Sequence, residues 1–127
     1  MTDSRCFETI SRDDLAQLQT ERLQTTLNRV SRNVAFYKHA LDARKVTVEN
    51  IRSLKDLRQL PFTTKEDLRT SYPYDMFALP LRDVVRIHAS SGTTGKPIVV
   101  GYSKNDILHW SELVARQLSW AGITEHD

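Results

Sequence analysis

Scarcity sets the first limits on this chain of 127 residues. A single cysteine, Cys6, stands in a polar stretch near the start, so an internal disulfide is excluded and a reducing, cytoplasmic setting is expected. No apolar run approaches the about 18 residues that a bilayer demands, and Met1-Thr2-Asp3-Ser4-Arg5 leads into no secretory h-region, so no membrane partner is expected. The charge balance is small, 18 Lys and Arg against 16 Asp and Glu, and it is spread along the chain. Without a basic block or stripe, nucleic acid is not an expected partner. His39 and His109 sit on predicted helices and His126 near the end, with no metal-like spacing, so no metal site is expected. No repeat, low-complexity tract or flexible linker interrupts the chain. With only four prolines and four glycines, the place of each becomes informative.

The first half reads as helix. Ser11 and Asp14 have the spacing of a capping box, and Leu23, Leu27, Val30, Val34, Tyr37 and Leu41 then recur at intervals of four and three. That spacing predicts one apolar stripe on a long helix, or a helix pair joined near Asn33 where Ser31-Arg32-Asn33 interrupts. Ile51, Leu54, Leu57 and Leu60 suggest a second, short helix that must stop before Pro61. Thr63 with Glu66, or Thr64 with Asp67, offers a new cap, and Pro73 and Pro80 then break the chain into turns and loops up to residue 82.

From Asp83 the grammar changes. Val84, Val85, Ile87 and Ala89 make a β-type run and Ile98-Val99-Val100 a second. Ser103 and Asp106 form another capping box, and Ile107, Trp110, Val114, Leu118 and Ala121 mark an amphipathic helix ended by Gly122. The expected class is α/β: a helical N-terminal region over 1–82, then a β-loop-β-α unit over 83–127. Two strands alone are marginal, so further strands are expected beside them.

Between the strands lies Ser90-Ser91-Gly92-Thr93-Thr94-Gly95-Lys96-Pro97, and three of the four glycines, Gly92, Gly95 and Gly101, fall in or just after it. Glycines let successive amides turn inward around an anion, the hydroxyls add donors, and Lys96 adds a compact positive charge. The combination suits a polyphosphate. A Walker loop requires glycine where Ser90 stands and Ser or Thr where Pro97 stands, and it opens a helix, whereas this loop leads into a strand. A polar hairpin loop without a ligand is the bland alternative.

The order of residues favours a ligand. Ser-Ser-Gly-Thr-Thr-Gly-Lys-Pro resembles the phosphate signature of the adenylate-forming superfamily. Pro61-Phe62-Thr63-Thr64-Lys65-Glu66-Asp67-Leu68-Arg69, Tyr72-Pro73-Tyr74-Asp75-Met76-Phe77-Ala78, Val85-Arg86-Ile87-His88-Ala89 and Pro97-Ile98-Val99-Val100-Gly101-Tyr102 resemble its phenylacetate-CoA ligase branch. Many superfamily members carry a second lysine after the proline; Ile98 and Val99 here follow the apolar habit of that branch.

The resemblance implies that residues 83–127 begin the large adenylate-forming domain, which is incomplete here. It implies an N-terminal part of an aryl acid-CoA ligase, with ATP, Mg2+ and coenzyme A as co-substrates of the complete enzyme and phenylacetate or a related acid as substrate. Nucleotide phosphates would meet Ser90, Ser91, Gly92, Thr93, Thr94, Gly95 and Lys96. No catalytic residue and no metal ligand can be carried over onto this chain, so the isolated segment is expected to be inactive. The remainder of the ligase is an expected partner, and a homodimer is implied. The alternatives are a non-catalytic helical interaction module, docking through the N-terminal stripe, and a truncated remnant.

Overall fold

Ser11 opens the first helix by the chemistry its spacing predicts. Its hydroxyl oxygen accepts the Asp14 N–H at 3.1 Å, and its O–H donates to Asp14 Oδ2 at 2.7 Å. This satisfies an orphan donor of the first turn. In the computed structural model, which describes residues 9–92 and 95–124, that cap begins α1, Arg12–Asn33. Val34 then takes an extended conformation, φ −124° and ψ 108°, and α2, Ala35–Ala43, comes at once after it. The stripe is therefore carried by a helix pair, with the break at Val34.

The chain divides into two compact units, residues 1–67 and 68–127. In the first, Leu27 of α1, Val34 at the break, Leu41 of α2 and Ile51 form the buried core, with Val34 1% and Ile51 0% exposed. Gln24 of α1 ties that core together by donating from Nε2 to the Ile51 carbonyl at 2.7 Å.

The second helix expected over Ile51–Leu60 is corrected. Ile51 is extended, and it lies between two 3₁₀ segments, Val48–Asn50 and Leu54–Gln59. The reason is legible in the spacing: Leu54, Leu57 and Leu60 repeat every three residues, which matches 3.0 residues per turn and not 3.6. Of the two caps offered next, Thr64 with Asp67 forms. The Thr64 N–H and O–H both donate to Asp67 Oδ2 at 2.7 Å, and α3, Lys65–Thr70, starts there.

In the second unit β1, Val84–Ala89, pairs antiparallel with β2, Val99–Ser103, matching Ile87 to Gly101 and Ala89 to Val99. The ladder carries an irregularity between Val84 and Arg86. β2 runs further than the apolar run Ile98–Val100 suggests, because Gly101, Tyr102 and Ser103 continue the pairing. Ser103 then caps α4, Lys104–Trp120, by accepting the Asp106 N–H at 3.2 Å while Asp106 Oδ2 accepts the Ser103 N–H at 2.8 Å. Gly122, at φ +90°, ends the helix as expected, and the Ile123 N–H reaches back to the Leu118 carbonyl at 3.1 Å.

The described residues are mostly helical, with one two-stranded antiparallel sheet. None of those in the second unit is buried, and its large apolar side chains on β1, β2 and α4 stand exposed, Trp120 at 76%. Cys6 and His126 lie outside the described residues.

Candidate functional site

The site is the segment between β1 and β2, and pairing sets its neck. At the end of the ladder the Ser90 N–H donates to the Ile98 carbonyl at 3.0 Å, and the Ile98 N–H donates to Ser90 Oγ at 2.9 Å. Inside the neck, the Gly95 N–H donates to the Gly92 carbonyl at 3.0 Å, closing a tight turn.

Both glycines have a physical reason to be glycine. Gly92 sits at φ +63° and Gly95 at φ +142°, backbone regions that side chains disfavour. A Cβ on Gly92 would also press on the Gly95 carbonyl oxygen at 3.0 Å and on the Pro97 nitrogen at 3.3 Å. Around Gly95 there is open space, so conformation alone holds that position. The loop leads into β2 and not into a helix, so the helix-terminus cradle of a Walker loop is unavailable to it.

Of the expected phosphate-binding residues, Ser90, Ser91, Gly92, Gly95 and Lys96 fall together in this one loop. Thr93 and Thr94 lie outside the described residues. Lys96 is exposed, leaving its charge available to an anion, and residues 90–97 contain no carboxylate to oppose one. Among the described residues no group of His, Cys, Asp or Glu is arranged to hold a metal ion. No described helix is long and apolar enough to cross a membrane.

Three features surround the loop, of which the sequence suggests only the first in outline. His88, two residues before Ser90, packs its ring against Tyr102 and Trp110 at centroid distances of 5.0 and 5.9 Å, and Tyr102 stacks on Trp110 at 5.5 Å. Its position at a strand end before the loop leaves His88 either a packing role or a nucleotide contact, and it has the packing role, with Tyr102 diagonal to it across the ladder. Second, Gly101 makes room for an aromatic ring. A Cβ there would overlap Phe77 Cε2, with Cζ only 2.7 Å away. Third, the pairing of Ser90 Oγ with the Ile98 amide obeys no spacing rule.

Comparison with known proteins fits this geometry. The chain is 54% identical over 121 residues to the phenylacetate-coenzyme A ligase of Escherichia coli (strain K12), a match that covers 95% of this chain and 28% of that protein. It is 50% identical over 116 residues to the phenylacetate-coenzyme A ligase of Thermus thermophilus, covering 91% of this chain and 26% of that one. The fold superposes on 2-hydroxyisobutyryl-CoA ligase solved with 2-HIB-AMP and CoA, with a TM-score of 0.71 and 26% identity over 77% of this chain and 22% of the other. On the same ligase in its postadenylation state the TM-score is 0.79 at 21% identity, covering 91% of this chain and 25% of the other. No family model matches the chain. Along nearly its whole length the chain is homologous to the phenylacetate-coenzyme A ligases, adenylate-forming CoA ligases of which it spans about a quarter.

Proposed function

We propose that this chain is the N-terminal part of a cytoplasmic aryl acid-CoA ligase, and that its loop 90–97 binds the β- and γ-phosphates of ATP. Residues 1–82 form the helical region of that enzyme and residues 83–127 the start of its nucleotide-binding domain. The observation that carries the reading is a Gly/Ser/Thr loop with two glycines in the left-handed half of backbone space, closed on itself and succeeded by an exposed lysine. Homology to named ligases over 95% of the chain supports it.

The reaction is the activation of phenylacetate or a related aryl acid. Carboxylate attack on the α-phosphate gives an acyl-adenylate and releases pyrophosphate, and coenzyme A then displaces AMP. In the first step the complete enzyme must orient two negatively charged reactants, and the loop's share is to hold the β- and γ-phosphates and offset charge on the departing pyrophosphate. Loop amides, Ser91, Thr93 and Thr94 donate to phosphate oxygens, and Lys96 supplies charge. The loop does not fit a magnesium site, since it brings hydroxyls and amides but no carboxylate.

Lacking ribose, base and acyl contacts, the 127 residues bind ATP weakly and do not turn over. The partner that completes them is the remainder of the ligase, and the exposed apolar side chains of β1, β2 and α4 are where it packs. Titration with millimolar MgATP, read by amide exchange, tests the site: protection confined to residues 90–98 is the expected result, and a loop indifferent to MgATP overturns it. In the native polypeptide that carries this segment, Gly95→Ala should lower phenylacetate-dependent ATP-pyrophosphate exchange at least tenfold; unchanged ATP kinetics would reject the assignment.

A further inference from the structure

The neck of the loop carries more than a boundary. In an antiparallel ladder a hydrogen-bonded pair exchanges two backbone bonds, each residue's N–H meeting the other's carbonyl. Ser90 and Ile98 complete half of that exchange: the Ser90 N–H donates to the Ile98 carbonyl at 3.0 Å. For the other half the Ile98 N–H donates at 2.9 Å to Ser90 Oγ. The side chain has taken the place that the Ser90 carbonyl would hold in a continuing strand.

This substitution of hydroxyl for carbonyl has three consequences. The ladder stops at a chosen residue, because a hydroxyl and not the next peptide accepts the last amide. Pro97 has no N–H, so the Ile98 amide is the first that β2's side of the loop can offer to the neck. Further in, a Cβ on Gly92 would press on the Gly95 carbonyl oxygen and on Pro97, so the backbone inside the neck is closely folded. Ser90 also keeps its hydroxyl proton, but the lone pair spent on Ile98 fixes the rotamer that aims it.

We propose that Ser90 is a positioning residue: its hydroxyl clamps the Ile98 amide and so sets the conformation of the phosphate loop before nucleotide arrives. This rests on the reading of loop 90–97 as a phosphate site and refines it, because Ser90 then acts through Ser91, Thr93, Thr94 and Lys96. Serine is suited to the task and threonine can repeat it, since both offer the same oxygen on Cβ; alanine cannot.

The test uses the 127-residue chain, with residue-resolved amide exchange before and after MgATP. Without nucleotide, Ser90→Ala should speed exchange of the Ile98 amide about five-fold, the size expected of one partly exposed hydrogen bond net of water. The Val100 and Tyr102 amides serve as reference for an intact ladder. Ser90→Thr should restore the original rate and keeps the test alive if alanine disrupts the hairpin. MgATP should bind Ser90→Ala about five-fold more weakly and Ser90→Thr like the parent. An Ile98 rate that ignores Ser90→Ala overturns the clamp, and a loss of MgATP affinity in that setting marks Ser90 as a direct phosphate contact. An Ile98 rate that rises while MgATP affinity holds overturns the positioning role. If the parent itself ignores MgATP, the nucleotide reading and the positioning role both fail, while the Ile98 rate alone still reports whether the clamp exists.

Discussion

Gly101 and Lys45 show how single residues are held to their places, one by space and one by conformation. The Phe77 ring lies against Gly101 on β2 and also packs on Tyr74 at 5.3 Å, so it cannot swing aside without losing a neighbour. Gly101→Ala should destabilise the second unit by about 1–3 kcal/mol through overpacking. Adding Phe77→Leu should recover part of that loss, which urea titrations of the two single variants and the double variant would measure as a coupling. Lys45 is the opposite case. It sits at φ 55°, with its N–H on the Asp42 carbonyl and the Val46 N–H on the Leu41 carbonyl, a helix end that favours glycine. Lys45→Gly should therefore raise stability by up to about 1 kcal/mol, seen as a higher urea midpoint at unchanged slope. The strained glycines of the loop could be anticipated from the sequence, because a chain with so few glycines gathers them only where its backbone must turn in ways that side chains resist. Phe77 could not be paired with Gly101, since 24 residues separate them and no periodicity links a turn to a strand.

Three of the α-helices begin with the same device, and it is the part of the fold that was most legible. Ser11, Thr64 and Ser103 each bind an aspartate three residues on, and all three spacings were readable because capping is local chemistry. Ser53 does the same with Asp56 at 3.0 Å. The 3₁₀ winding after Ile51 was less plain, because a three-residue repeat of Leu54, Leu57 and Leu60 also lies within the spacings of an α-helical stripe. The caps also predict an acid response. Asp56 is held below the usual carboxylate range first by the Ser53 hydroxyl and then by the Arg52 N–H, and Asp67 first by the Thr64 hydroxyl and then by its N–H. The Thr47 hydroxyl does the same for Glu49. A folded-state value below the unfolded one means the unfolded chain binds protons more tightly. The stabilisation is whole above the unfolded value, about pH 4, and is lost as pH falls through the folded one. Urea midpoints should therefore be flat from about pH 7 to pH 5 and drop below about pH 4, and Asp56→Asn should flatten the drop while lowering the neutral-pH plateau.

At the scale of the whole molecule the two units differ in what holds them. The first has a core, small but closed, in which Ile51 and Val34 are out of reach of water. The second has a sheet of two strands, a capped helix and no buried residue among those described. A two-stranded ribbon is marginal by itself, and α4 leaves Leu113, Val114, Leu118 and Trp120 exposed, so those side chains contribute little burial. Exchange should therefore be uneven: the Val34 and Ile51 amides, bonded to the Val30 and Val48 carbonyls, should be among the slowest, and those of β1 and β2 should exchange by local opening. Ile51→Ala separates the two causes. It should cost about 2–4 kcal/mol and speed the Val34 amide accordingly, because it empties the first core. The β1 and β2 amides, which belong to a ladder within the second unit, should keep their rates. Equal acceleration in both units would mean that they unfold as one, and the second unit's stability would then come from the first and not await the rest of a ligase.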